Sequence, residues 1–347
     1  MAALRRRNPP VPGAPDEFAL IAELFAPLSA SYPGALSLTD DAALMDVPSG
    51  RQLVLTMDSM VAGVHFFADD PPDLIARKLI RVNLSDLAAK GAQPFAIMLS
   101  AAFPHATDGV WLRRFAQGLA EDCRAFSIAL IGGDTVATPG PLTLTLTAFG
   151  QVPQGRALLR SGAVAGDQIW LSGSLGDSAL GLVARQGGLP HLSTSCRDHL
   201  IARYLLPEPR VTIGPGLIGL AHAGMDVSDG LIQDVGHMAR QSGLAAEIRV
   251  DLLPLSPPAQ TALAADNSCL ATILGGGDDY EVLFTAPQSE AGAIQRLAAH
   301  TGIALTVIGT MGAGQGVRVV DRDGNAVAVA HEGWRHFTDA GEEQWSG

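Results

Sequence analysis

The chain is punctuated by 39 glycines and 22 prolines, and between them short apolar runs of strand period alternate with amphipathic runs of helix period. That alternation predicts mixed α/β structure and argues against a repeat array or a long coiled coil. At 347 residues the chain is about twice the ~100–200 residues of one ordinary domain, so two domains with their own cores are expected. A content of 47% hydrophobic and 17% charged residues belongs to a folded, aliphatic interior.

Several function classes recede at once. A net charge of −12 repels nucleic acid and anionic membrane surfaces, and 5% aromatic residues leave little for base stacking. Neither lysine, Lys78 or Lys90, lies in a Walker-type GK[ST] sequence, so any phosphate must be held by other means. Cys123, Cys196 and Cys269 form no CxxC and no zinc pattern, which fits a reducing cytoplasm. Met1 to Pro15 carries Arg5-Arg6-Arg7 and a Pro-rich stretch without an apolar core, and reads as a loose, flexible tail and not a leader. No apolar run approaches the roughly 18 residues of a membrane span, so a soluble protein is expected.

Along the chain, the periodicity predicts helices over 17–28, 74–90 and 110–126, and strands over 53–57, 95–102, 128–131 and 142–149. The Gly/Pro stretch 150–155 is the expected domain boundary, giving residues 16–150 and 151–347 as the two domains. Beyond it strands are expected at 168–172, 246–250 and 280–286, helices at 178–185, 197–205, 213–223 and 290–301, and a hairpin over 317–329. A short strand should lead into Asp226, with a helix after Gly230.

The chemistry is concentrated in aspartates at the ends of apolar runs: Asp40-Asp41, Thr56-Met57-Asp58, Gly132-Gly133-Asp134, Asp226-Val-Ser228-Asp229-Gly230 and Gly276-Gly277-Asp278-Asp279. Any one of these could be an ordinary helix cap or Asx turn. Together they make an oxygen-rich set suited to Mg²⁺, which takes a few carboxylates and leaves water and phosphate to complete its octahedron. Metal ions would also let so acidic a chain hold a nucleotide polyphosphate. Ser228 before Gly230 could cap the next helix, contact a phosphate, or do both. His65, Arg160 and Trp334 read by default as a packed histidine, a solvated charge and a packed indole.

In order along the chain, Asp16-Glu-Phe-Ala-Leu-Ile21, Asp40-Asp-Ala-Ala43, Asp58-Ser-Met-Val-Ala-Gly-Val-His-Phe66, Asn83-Leu-Ser-Asp-Leu-Ala-Ala-Lys-Gly-Ala92, Gly132-Gly-Asp-Thr135, Arg160-Ser-Gly162, Asp226-Val-Ser-Asp-Gly-Leu231 and Gly276-Gly-Asp-Asp-Tyr-Glu281 resemble the thiamine-monophosphate kinase family. That family belongs to the aminoimidazole ribonucleotide synthetase-like superfamily. The resemblance implies an α/β, two-domain architecture with mixed sheets packed by helices, a homodimer that pairs its N-terminal sheets, and ATP-dependent phosphorylation of thiamine monophosphate to thiamine diphosphate. Carried over by motif, Asp41, Thr56, Met57, Asp58, Asp86, Asp134, Asp226 and Asp229 would hold several Mg²⁺ ions. Gly133, Asp134, Arg160 and Ser228 would contact ATP, and His65, Asp278 and Trp334 would contact thiamine monophosphate.

Three residues depart from the family pattern: Thr39 where glycine is common, Met57 where a hydroxyl residue is usual, and Asp278 where glutamate is usual. Two rivals stay open, the second of them because these departures could have removed turnover. One is an ATP-dependent member of the same superfamily with a different acceptor, and the other is a Mg·ATP-binding regulatory protein without turnover.

Overall fold

A computed structural model describes residues 17–328 and Gly333. The tail 1–15 and Trp334 lie outside the described residues. The described residues divide into two compact units: those up to Pro48, with Leu55–Asn83 and Pro94–Phe149, form the first, and Ser49–Val54, Leu84–Gln93 and those from Gly150 onward the second.

The first unit opens with α1 (Glu17–Leu20), which runs into a π-turn and two 3₁₀ segments to Leu38. The regular helix expected over 17–28 is therefore broken. Pro27 stands at the start of the first 3₁₀ segment, Ala26–Ser29, where it lacks an amide hydrogen to continue an α-helix. Then come β1 (Arg51–Val61), α2 (Pro72–Ala89), β2 (Gln93–Pro104), α3 (Gly109–Ala125), β3 (Ala129–Thr138) and β4 (Thr143–Pro153), of which Arg51–Val54, Leu84–Gln93 and Gly150–Pro153 belong to the second unit. The strands form one sheet in the order β1-β4-β2-β3, with β2 and β3 parallel.

Helix α3 starts where Asp108 accepts hydrogen bonds from the Val110 and Trp111 amides, an N-cap that satisfies two otherwise unpaired donors. It is tied to α2 by Asp122, a fully buried carboxylate that receives Arg77 Nε at 2.9 Å and Arg81 Nε at 2.6 Å. Arg77, Arg81 and Arg114 are thus held by carboxylates between helices.

The second unit contains β5 (Gln168–Ser172), α4 (Asp177–Arg185), α5 (Thr194–Leu205), α6 (Gly214–Leu217), β6 (Ala223–Val227), α7 (Leu231–Ser242), β7 (Ala245–Arg249), α8 (Pro257–Ala265), α9 (Cys269–Gly275), β8 (Glu281–Ala286), α10 (Ala291–Thr301), β9 (Leu305–Gly312) and β10 (Gly316–Val320). Its six strands lie in the order β10-β7-β9-β5-β8-β6. Only the β10–β7 pair is parallel, and the other four pairs are antiparallel. Strands β6 and β8 are buried along their whole length, as a sheet covered on both faces must be.

Side-chain alternation separates the two faces. Ile169, Leu171, Met225 and Leu283 enter one apolar cluster, while Trp170, Val282 and Phe284 enter the other, which is the period of two expected of strands. Ala88, in the last turn of α2, joins the second cluster. The helix expected over 213–223 shrinks to α6, because Gly214, Pro215, Gly216 and Gly219 interrupt it and β6 already begins at Ala223.

Candidate active-site motifs

In the first unit the candidates sit on the sheet and its turns. Thr56, Asp58 and the buried Met60 share one face of β1. Leu55 and Met57 point from the other face and are 55% and 64% exposed. The Met57 side chain is therefore turned away from Thr56 and Asp58, so only its main chain can join them. The Asp58 amide donates to Asn83 Oδ1 at 3.1 Å, which pins the strand to α2 at this carboxylate.

His65 lies in the turn after β1, where its Nδ1 accepts the Val61 amide at 3.1 Å. A ring bonded this way carries its proton on Nε2 when neutral, leaving that atom as a donor. Asp41 is exposed in a bend whose amide is held by Asp40 Oδ1 at 2.7 Å. The preceding Thr39 has φ −108°, ordinary for any L-residue, so its departure from glycine costs no backbone strain.

The expected strand at 128–131 runs on through Gly133 and Asp134, which pair with Leu99 and Ser100 of β2. A Cβ at position 133 would overlap the Leu99 carbonyl oxygen, so only glycine fits. Asp134 is exposed on β3, and Asp58 lies on β1, the opposite edge of the sheet. Three strand spacings separate those edges, about 14 Å. Within one sheet, then, the two carboxylates do not meet on one ion.

In the second unit the candidates converge. Asp226 is buried near the end of β6, and its Oδ2 accepts Ser85 Oγ at 2.7 Å. Ser85 stands next to Asp86 on α2, and its hydroxyl also lies 3.3 Å from the Tyr280 carbonyl. One buried hydroxyl thus links three motifs that are far apart in sequence. The Asp226–Gly230 and Gly276–Glu281 turns are stapled together: the Asp278 amide donates to Ser228 O at 2.9 Å and the Tyr280 amide to Val227 O at 2.8 Å. Gly277 is required there, since a Cβ would overlap Ser228 O.

Asp278 and Tyr280 have φ of +70° and +53°, strained values for non-glycine residues that persist only where surrounding bonds impose them. Asp279 between them is buried and accepts the Gly176 and Ser178 amides at the start of α4. Glu281 then receives Arg210, Arg203 and Ser172. The Tyr280 hydroxyl donates to Asp278 Oδ1 at 3.1 Å, orienting the carboxylate that is one methylene shorter than the family's glutamate.

Electrostatics single out two groups that sequence reading missed. Burial, followed by Asp226 and Asp229, pushes the Asp234 carboxyl up to about 8. Burial and then Arg160 pull Lys90 down to about 8, with Asp226 and Asp86 opposing. Lys90 donates to Gly224 O at 2.7 Å. Arg160 is itself exposed, and its carbonyl accepts from Ser242 Oγ at 3.3 Å. Trp334 is not described, but its neighbour Gly333 packs against Gln233 and the Asp229 main chain.

Among the described residues no three His, Cys, Asp or Glu side chains form a ready metal cage. The donors still fit Mg²⁺, which binds through one or two carboxylates plus substrate phosphate and water. Asp226 and Asp229 raise the cost of ionising Asp234, a crowding of carboxylates that a cation would relieve.

Comparison with known proteins places this arrangement. Residues 39–152 match the AIR synthase related protein N-terminal domain, and residues 164–322 match its C-terminal domain. A thiamine-monophosphate kinase from Caulobacter vibrioides is 42% identical over 330 residues, covering 94% of this chain and 92% of the relative. The crystal structure of thiamine-monophosphate kinase from Stenotrophomonas maltophilia K279a matches with TM-score 0.76 at 42% identity, covering 84% of this chain and 91% of that one. AaThiL complexed with AMPPCP and TMP matches with TM-score 0.74 at 31% identity, covering 86% and 91%. With both domain models matched and this degree of identity over nearly the full length of its relatives, the chain belongs to the thiamine-monophosphate kinase family.

Proposed function

We propose that the protein transfers the γ-phosphoryl group of ATP directly to the phosphate of thiamine monophosphate, giving thiamine diphosphate and ADP. The observation that carries this reading is the stapling of the Asp226–Gly230 turn to the Asp278–Glu281 turn, with Ser85 and Asp86 beside them, in a chain of this family.

Phosphoryl transfer has a loose transition state that needs in-line positioning and charge neutralisation more than covalent help. The acceptor is an ionised phosphate, so no residue has to remove a proton from it, and none is assigned as a base. Mg²⁺, when bound, would neutralise phosphate charge. Asp41, Asp58, Asp86, Asp134, Asp226 and Asp229, with Thr56 and the Met57 carbonyl, are the groups that would hold it. Gly133, Asp134, Ser228 and Arg160 bind ATP in this reading. His65 donates from Nε2 to the thiamine phosphate, and Asp278, oriented by Tyr280, accepts from or pairs with the cationic thiamine. Trp334 offers a stacking surface.

A second copy of the chain completes the metal-binding set on the first unit's sheet. The placement of Asp58 and Asp134 on opposite sheet edges supports this, as do the exposed Leu55 and Met57 on the open face. In this homodimer residues 16–150 carry ATP and metal binding and dimerisation, and residues 151–347 form the second domain. The reading places this work in the cytoplasm, since the free cysteines Cys123, Cys196 and Cys269 suit a reducing compartment; no helix among the described residues is long and apolar enough to cross a membrane.

The test is acceptor-dependent ADP release with Mg²⁺, with and without excess chelator, for the wild type and folded Asp58→Asn and Asp134→Asn variants. Thiamine monophosphate should be the preferred acceptor, and chelator or either substitution should remove nearly all turnover. ADP release with another monophosphate only would keep the superfamily and change the substrate. Mg·ATP binding without turnover would replace the kinase by a regulatory protein.

A further inference from the structure

Among the buried carboxylates that the kinase reading leaves unused is Asp234. Asp234, in the first turn of α7, is 1% exposed. Its Oδ2 accepts the Ser228 amide at 3.1 Å and the Asp229 amide at 3.1 Å. These two residues lie between the end of β6 at Val227 and the start of α7 at Leu231, outside the sheet ladder and the helix. Gly230, at the N-cap position, has no side chain to receive their amides.

Resting on that reading of Ser228 and Asp229, we infer that Asp234 is a positioning residue which fixes the Ser228–Asp229 main chain and so presets the ATP contact and the metal-binding carboxylate. The Ser228 residue is gripped from both sides, its amide by Asp234 and its carbonyl by the Asp278 amide at 2.9 Å. The Asp229 side chain is steadied separately, by Gln233 Nε2 on Oδ2 at 3.2 Å. Asp234 therefore sets the backbone, and Gln233 the rotamer, of the same ligand.

Asp226, which is buried, and Asp229, which is half-buried, stand beside Asp234. What the position needs is an acceptor oxygen at a fixed place, and an amide provides one as well as a carboxylate does. Removing the acceptor strands two amides in a closed turn, and unsatisfied buried donors are costly.

The experiment compares wild type with Asp234→Asn and Asp234→Ala. In metal-free protein, hydrogen exchange of the Ser228 and Asp229 amides is followed. With ATP and thiamine monophosphate, product formation is followed as a function of Mg²⁺. Asp234→Asn should keep slow exchange and a half-saturating Mg²⁺ concentration within about threefold of wild type. Asp234→Ala should exchange these amides at least roughly tenfold faster and need about tenfold more Mg²⁺, with KM for thiamine monophosphate changed less than that.

An Asp234→Asn variant as impaired as Asp234→Ala would overturn the inference, because the charge and not the acceptor would then matter. So would an Asp234→Ala variant with wild-type exchange and Mg²⁺ dependence. If Asp234→Ala does not fold, the Asn variant decides alone: slow exchange at both amides supports the assignment, and lost protection refutes it. A wild type inert toward thiamine monophosphate would sink the kinase reading, while the exchange comparison would still decide what Asp234 does.

Discussion

Replacing Arg210 by methionine should destabilise the second unit sharply. Glu281 is 0% exposed and opens β8 directly after the Asp278–Tyr280 turn. Its carboxylate accepts Arg210 Nε at 2.6 Å and Nη2 at 2.5 Å, Arg203 Nη2 at 3.2 Å and Ser172 Oγ at 2.6 Å. The substitution removes the two arginine bonds that form a bidentate fork and leaves a buried anion with a single, longer arginine contact. Removing one partner of a buried pair costs about 3–5 kcal/mol. Arg203 and Ser172 remain, so the lower end, about 3 kcal/mol, is expected here. At roughly 2–4 °C per kcal/mol for a unit of this size, the corresponding calorimetric transition should fall by about 6–12 °C. A double variant, Arg210→Met with Glu281→Leu, should lose less than the sum of the two single changes, since it leaves no unpaired charge. An Arg210→Met transition within about 2 °C of wild type, or strict additivity in the double variant, would refute the view that this pair anchors the turn.

Two further outcomes follow from the same region. Ser85→Ala leaves Asp226 Oδ2 without its 2.7 Å hydroxyl donor and should cost about 1–3 kcal/mol of stability, read by urea unfolding, together with a higher Mg²⁺ requirement; unchanged values in both would remove Ser85 from the site. Asp279 is pushed up to about 8 by burial, so the folded state keeps a proton that the unfolded state releases near pH 4. Its contribution is full below pH 4 and declines as pH rises toward 8. Asp279→Asn should flatten that decline by about one proton in urea titrations at pH 5 to 8, and an unchanged slope would contradict the assignment.

The fold was legible where one physical signal dominated. The Leu/Thr alternation of β4 and the amphipathic repeat of α2 identified themselves, and Gly91 closes α2 with a positive φ. Strand β9 (Leu305–Gly312) gave no such signal, since Leu-Thr-Val-Ile-Gly-Thr lacks alternation. Its identity comes from pairing with β5 and β7 on either side. The expected helix at 213–223 failed because a run of apolar residues outweighed the three glycines and a proline within it.

At the site, the aspartates announced themselves by ending apolar runs, and their order along the chain carried the family resemblance. The groups that support them did not. Ser85 meets Asp226 across 141 positions and Glu281 meets Ser172 across 109, partnerships created by folding and invisible to local spacing. Asp234 is only six positions from Ser228, yet an aspartate in a helix's first turn reads as a favourable charge near the positive end of the helix dipole, which hides its bonds to the turn before it.

The most direct measurement is ³¹P NMR of the purified protein with ATP, Mg²⁺ and thiamine monophosphate, beside an acceptor-free control and a chelated sample. The account predicts that thiamine diphosphate resonances grow as those of thiamine monophosphate decline, matched one for one by ADP, only in the complete mixture. Inorganic phosphate released in place of thiamine diphosphate, or no consumption of ATP by folded protein, would contradict it.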